Sequence, residues 1–183
     1  MGLCSSPEVD WEQGMIDLEE RCFAASGITM EHLKRDYVEL NLSMEEAPYR
    51  VRVFDIDDGT DKKTLVLLHG FGMASCMFGP LLSILAKQYR LVLFDNLGWG
   101  LNSRLKESKA LESAETAEAW VTEMLCKTMG ELDLPAKFYL AGFSHGGWQA
   151  CLYASQAPER VESLFLISAA GIESYDEATY DRT

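Results

Sequence analysis

Two kinds of apolar pattern divide the chain near residue 60. Ahead of it, Trp11, Met15, Leu18 and Cys22 recur at i, i+4, i+7 and i+11, which predicts a surface helix with that stripe turned inward. Residues 37–42 and 49–56 read as two antiparallel strands, Tyr49, Val51 and Val53 alternating with Arg50 and Arg52. Residues 57–61 (DDGTD) form a turn cluster. Beyond it the apolar residues come in solid runs at 64–68, 91–94, 138–141 and 161–167. Helical stretches separate the runs at about 75–88, 113–132 and 146–156. In the second of these, Ala117, Trp120, Val121, Met124, Leu125 and Thr128 share one side. Solid apolar runs alternating with helices predict an α/β fold, its mostly parallel sheet covered by helices on both faces.

Composition narrows the setting. The chain has 183 residues, 48% of them hydrophobic and 25% charged, enough for one well-cored domain. Its net charge of -13 argues against nucleic acid, since phosphate contacts need a basic surface. Acid is concentrated at the start: residues 1–47 hold eleven Asp or Glu against three Lys or Arg. This predicts an acidic helical lead-in over 1–35, ahead of a second unit over 36–183. No apolar run is long enough to span a bilayer. The five cysteines form no C-x-x-C pair and no hydrophobic leader precedes them, which predicts a reducing, cytoplasmic setting. The opening M-G-L-C-S-S fits an acylation signal, myristate on Gly2 and palmitate on Cys4. Two acyl chains would hold the protein at the cytoplasmic face of a membrane; the alternative is an unmodified start. No motif calls for a metal or cofactor, and none is expected.

The strongest chemical signal is Gly142-Phe143-Ser144-His145-Gly146-Gly147, between an apolar run and a helix. This is the G-x-S-x-G arrangement in the context it needs. A strand that turns sharply into a helix strains the central serine and brings backbone too close for side chains two positions away. Gly142 and Gly146 meet that requirement. The turn predicts Ser144 as a nucleophile at the carboxyl end of the sheet. A second signal is His69-Gly70-Phe71-Gly72 after the first apolar run. The backbone amides of Phe71 and His145 would form a two-donor oxyanion hole. His69 itself reads as holding the turn. Asp95-Asn96-Leu97-Gly98-Trp99-Gly100 reads as a shaped loop, Trp99 either lining the pocket or packing in the core or at the rim.

In order, LLHGFG, FDNLGWG, AGFSHGG and the approach APERVESL to the last run resemble the first half of the α/β-hydrolase fold, across 64–173. The finer likeness is to the lipid-handling branch of lysophospholipase-like and lysophosphatidic-acid acyltransferase-like proteins. The resemblance implies acyl transfer from a lipid or other hydrophobic ester to water or an alcohol, with Ser144 as nucleophile. It also implies a catalytic acid after the sixth strand, where Glu173 and Asp176 stand, and a histidine base after the eighth. The histidines here are His32, His69 and His145, and none stands in that place. The expectation is therefore a partial fold lacking the cap and last strands. The alternative is a catalytically incomplete scaffold or binding subunit. The stretch from Ser163 to Ser168 would then be an apolar sheet edge for a protein partner to cover.

Overall fold

The computed structural model describes residues 10–28, 30–43, 47–104 and 112–171. Six strands form one sheet in the order β1-β2-β4-β3-β5-β6. β1 (Leu33–Leu40) and β2 (Tyr49–Ile56) pair antiparallel, and β2 pairs antiparallel with β4 (Tyr89–Phe94). β3 (Lys63–Leu68), β4, β5 (Phe138–Phe143) and β6 (Val161–Ile167) run parallel. The solid apolar runs are these four strands. The first strand starts at Leu33, earlier than the pattern at 37–42 indicated.

Alternation along each strand feeds two cores. Val66, Leu68, Val92, Phe94 and Leu140 face α3 (Ala114–Glu131) and α4 (His145–Gln156), meeting Trp120, Met124, Leu125 and Tyr153. Leu65, Leu67, Leu91, Leu93 and Ala141 face the other way. They meet Phe23 of α1 (Trp11–Ala25) and Leu82 of α2 (Gly79–Leu85). Side chains of this size contribute roughly 1.5–3 kcal/mol each when fully buried, so both layers are well supported.

Local chemistry fixes the helix ends. Ser113 caps α3 by accepting from the Thr116 amide at 3.1 Å, while Thr116 Oγ1 accepts from the Ser113 amide at 3.1 Å. Asp10 caps α1 by accepting from the Gln13 amide at 3.0 Å, and Gly27, at φ +72°, ends it. The stretch at 75–88 is a short 3-10 turn (Ser75–Phe78) followed by α2, which stops at Leu85.

The inward face of α1 differs from the one its apolar stripe predicts. The expected stripe of Trp11, Met15, Leu18 and Cys22 is not the buried side of α1: Trp11 and Leu18 are exposed. Glu19 and Phe23 are buried instead. Phe23 packs on Phe54 with ring centroids 5.0 Å apart. Glu19 pairs with Arg52 of β2 at 3.1 Å, so Arg52 is buried rather than on the polar face. At the far edge β6 lies open, with Leu164, Phe165, Leu166 and Ile167 all exposed.

Candidate functional site

The carboxyl ends of β3, β4 and β5 converge on Ser144. This residue joins β5 to α4 at φ +52° and ψ -118°, backbone space that few residues other than glycine occupy. The flanking glycines make the turn possible. A Cβ on Gly142 would overlap the Gly146 carbonyl oxygen and stand 2.6 Å from the Gly147 nitrogen. A Cβ on Gly146 would overlap the Leu68 carbonyl and stand 2.6 Å from that of His69. The elbow is thus pressed directly onto the end of β3.

That contact brings the second motif into place. A Cβ on Gly70 would stand 3.3 Å from the Ser144 Cβ, so the 70–72 turn borders the serine. His145 is the first residue of α4, and first-turn amides have no partner within their helix. His145 directly follows Ser144 in the chain, and Phe71 belongs to the turn that borders the serine. The helix N-terminus adds a partial positive charge there.

His69 locks the turn. It is fully buried. Its Nε2 accepts from the Asn96 amide at 2.8 Å, so the proton sits on Nδ1 and is donated to the Gly70 carbonyl, also at 2.8 Å. Both ring nitrogens are committed to backbone. Burial pushes the His69 pKa below its ordinary value, against the opposing pull of Asp95. His145 is pushed down too, by burial and then by His69. Asp95 shapes the next loop: Oδ1 accepts from the Ser75 amide at 2.6 Å, and its carbonyl accepts from Asn102 Nδ2 at 2.6 Å. A Cβ on Gly100 would overlap Asp95 Oδ2, so that position also requires glycine.

The state of His69 sets a pH response. A base whose folded pKa is depressed contributes stability that is complete above its unfolded value, 6.5, and is lost as pH falls from there toward the folded value. Urea unfolding between about pH 5 and pH 8 should show stability falling on the acid side. His69→Gln should flatten that slope, His145 accounting for part of what remains. An unchanged slope in His69→Gln would refute the neutral, doubly bonded imidazole.

Aromatic rings wall the site. Phe71, exposed, meets Trp99 edge to face with centroids 5.0 Å apart, and lies 6.4 Å from the His145 ring. His145 in turn lies 5.2 Å from Trp148. Trp99 therefore sits at the rim, against Phe71. His32 is remote from this cluster, 3.4 Å from Glu31. Among the described residues no group of three His, Cys, Asp or Glu is placed to hold a metal, and no helix is long and apolar enough to cross a membrane. Gly2, Cys4, Glu173 and Asp176 lie outside the described residues.

The sequence pattern did not reveal how the serine backbone is held from the β6 side. The Ser144 amide donates to the Ile167 carbonyl at 2.9 Å, and the Ala170 amide donates to the Ser144 carbonyl at 2.9 Å. The only advance signal was that the apolar run at 161–167 ends in small residues.

Comparison with known proteins bears on the fold. Residues 63–180 match the family model described as alpha/beta hydrolase fold. A 1-acylglycerol-3-phosphate O-acyltransferase of Arabidopsis thaliana is 34% identical over 125 residues, 68% of this chain and 29% of that protein. A pimeloyl-[acyl-carrier protein] methyl ester esterase of Aeromonas salmonicida is 36% identical over 106 residues, 58% of this chain and 37% of that one. The crystal structure of carboxylesterase CesB from Bacillus subtilis superposes with a TM-score of 0.66 at 22% identity, covering 94% of this chain and 55% of that one. The chain spans about a third of the length of the curated relatives it matches.

Proposed function

Since the chain belongs to the α/β-hydrolase fold family, we propose that it carries the acyl-accepting half of a serine esterase or acyltransferase site. Ser144 Oγ attacks the carbonyl carbon of a hydrophobic or lipid ester. The oxyanion that forms is met by the amides of Phe71 and His145, and collapse of the intermediate expels the alcohol and leaves an acyl-serine. Water or a second alcohol then takes the acyl group. What supports this is the strained Ser144 between Gly142 and Gly146, beside the 70–72 turn. The relatives include both an acyltransferase and an esterase, and the exposed Phe71–Trp99 wall suits an apolar acyl group.

The mechanism also needs a general base. His69 has no free ring nitrogen, and His145 stacks against Trp148. On this reading the base comes from outside the described residues. That gives weight to a second reading, a binding subunit completed by a partner along β6, whose apolar side chains are exposed. A fluorophosphonate probe separates the two. On the first reading the folded chain is labelled at Ser144, slowly for want of a base, and Ser144→Ala abolishes the label. A folded chain that takes up no probe overturns the first reading and favours the binding subunit.

A further inference from the structure

We propose that the turn after β6, residues 168–171, is a clamp that positions Ser144. The inference rests on the reading of Ser144 as nucleophile, and adds the element that keeps that residue in its strained conformation.

A serine at φ +52° persists only if its surroundings over-determine it, since residues with a side chain rarely adopt such backbone. The helix supplies part of that constraint: the Ser144 carbonyl accepts from the amides of Gly147 at 2.9 Å and Trp148 at 3.3 Å. The remainder comes from across the sheet. Ile167 takes the Ser144 N–H, and Ala170 donates to the Ser144 carbonyl. Both ends of the strained residue are therefore tied to the β6 exit.

The turn is shaped for this contact. Ser168 itself adopts φ +46°, which swings the chain back over α4. Ala169 then sits against Gly147, where a Cβ on the glycine would overlap that of Ala169 and lie 2.9 Å from its Cα. Gly171 faces Trp148, whose Cδ1 would lie 3.3 Å from a Cβ there. Three consecutive residues thus grip the first turn of α4 and the serine before it. Gly147, the glycine after the motif, is explained mainly by this grip, with the Gly142 carbonyl oxygen also 3.1 Å from a Cβ there.

Ala170→Pro tests the clamp, because it deletes the donating N–H and adds little bulk. Two readouts are needed. Fluorophosphonate labelling should fall roughly tenfold or more in maximal rate at an unchanged half-saturating probe concentration, as expected when a nucleophile is misplaced but probe binding is intact. Amide hydrogen exchange should accelerate at residues 144–148, while β3 and β4 keep their protection. Ala169→Gly, which leaves every backbone donor in place, loosens the grip and should lower the rate by about threefold. It also decides the matter if Ala170→Pro does not fold. Wild-type labelling and wild-type exchange at 144–148 in the folded variants would overturn the clamp. A natural chain that takes up no probe removes the acyl-transfer reading alone, and exchange at 144–148 still decides the clamp.

Discussion

Gly146→Ala is expected to lose roughly 3 kcal/mol or more of folding stability, read as a lowered urea midpoint at unchanged slope. The reason is that the added methyl meets backbone, which cannot rotate away. It would overlap the Leu68 carbonyl and press on that of His69, so β3 and α4 must separate. Gly142→Ala is expected to do the same, against the Gly146 carbonyl and the Gly147 nitrogen. The control is Gly130→Ala in α3, where, the helix's own backbone aside, nothing among the described residues lies within 4 Å of the new methyl. There alanine relieves the entropic handicap of glycine in a helix and should gain about 0.5–1 kcal/mol. Equal effects at 146 and 130 would show that the elbow is not packed against β3 as described. Because a domain is stable by only about 5–15 kcal/mol, loss at the elbow is a large fraction of the whole.

The same contrast explains what was legible in the sequence. The strands at 49–56 and 161–167 and the helix over 114–131 were readable because each depends on a local pattern: β-branched alternation, a solid apolar run, an apolar side at helical spacing. The Ser144 turn was readable because its glycines answer a steric demand within six residues. Features set by distant partners were not readable. Asp95 looks like a loop carboxylate until its oxygen is found on the Ser75 amide, 20 residues away. The hold on Ser144 from Ala170 spans a helix and a strand, and no periodicity announces it. The face of α1 failed for the same reason. A local reading places Trp11 and Leu18 inside and Glu19 outside, whereas Glu19 is buried by an arginine 33 positions later.

That arginine carries the second large effect. Arg52→Met is expected to lose about 3–5 kcal/mol, because it strands the Glu19 carboxylate inside the protein. In the natural chain Arg52 Nη2 donates to Glu19 Oε2 at 3.1 Å, and its guanidinium lies 4.8 Å from the Tyr37 ring centroid. Even so, burial raises the Glu19 pKa above its ordinary value, outweighing the pull of Arg52, with Asp95 adding to the rise. Glu19 Oε1 and Arg52 Nε have no hydrogen-bond partner among the described residues, so the pair compensates its own burial incompletely. Two consequences follow from that balance. The double variant Glu19→Leu, Arg52→Met should fall within about 1 kcal/mol of the natural chain, since apolar side chains of similar volume remove both desolvation costs. The single variant should also regain stability as pH falls. An acid with a raised folded pKa loses stability as pH rises through that value, so protonating Glu19 relieves the uncompensated charge. Arg35 on β1 bonds Glu20 rather than Glu19, at 3.1 Å, and does not replace the lost partner. Urea unfolding of both variants at neutral and mildly acidic pH measures the coupling directly. If the double variant is as unstable as Arg52→Met alone, Arg52 acts through its packing on Tyr37 and Phe54, and the buried charge is not what ties α1 to the sheet.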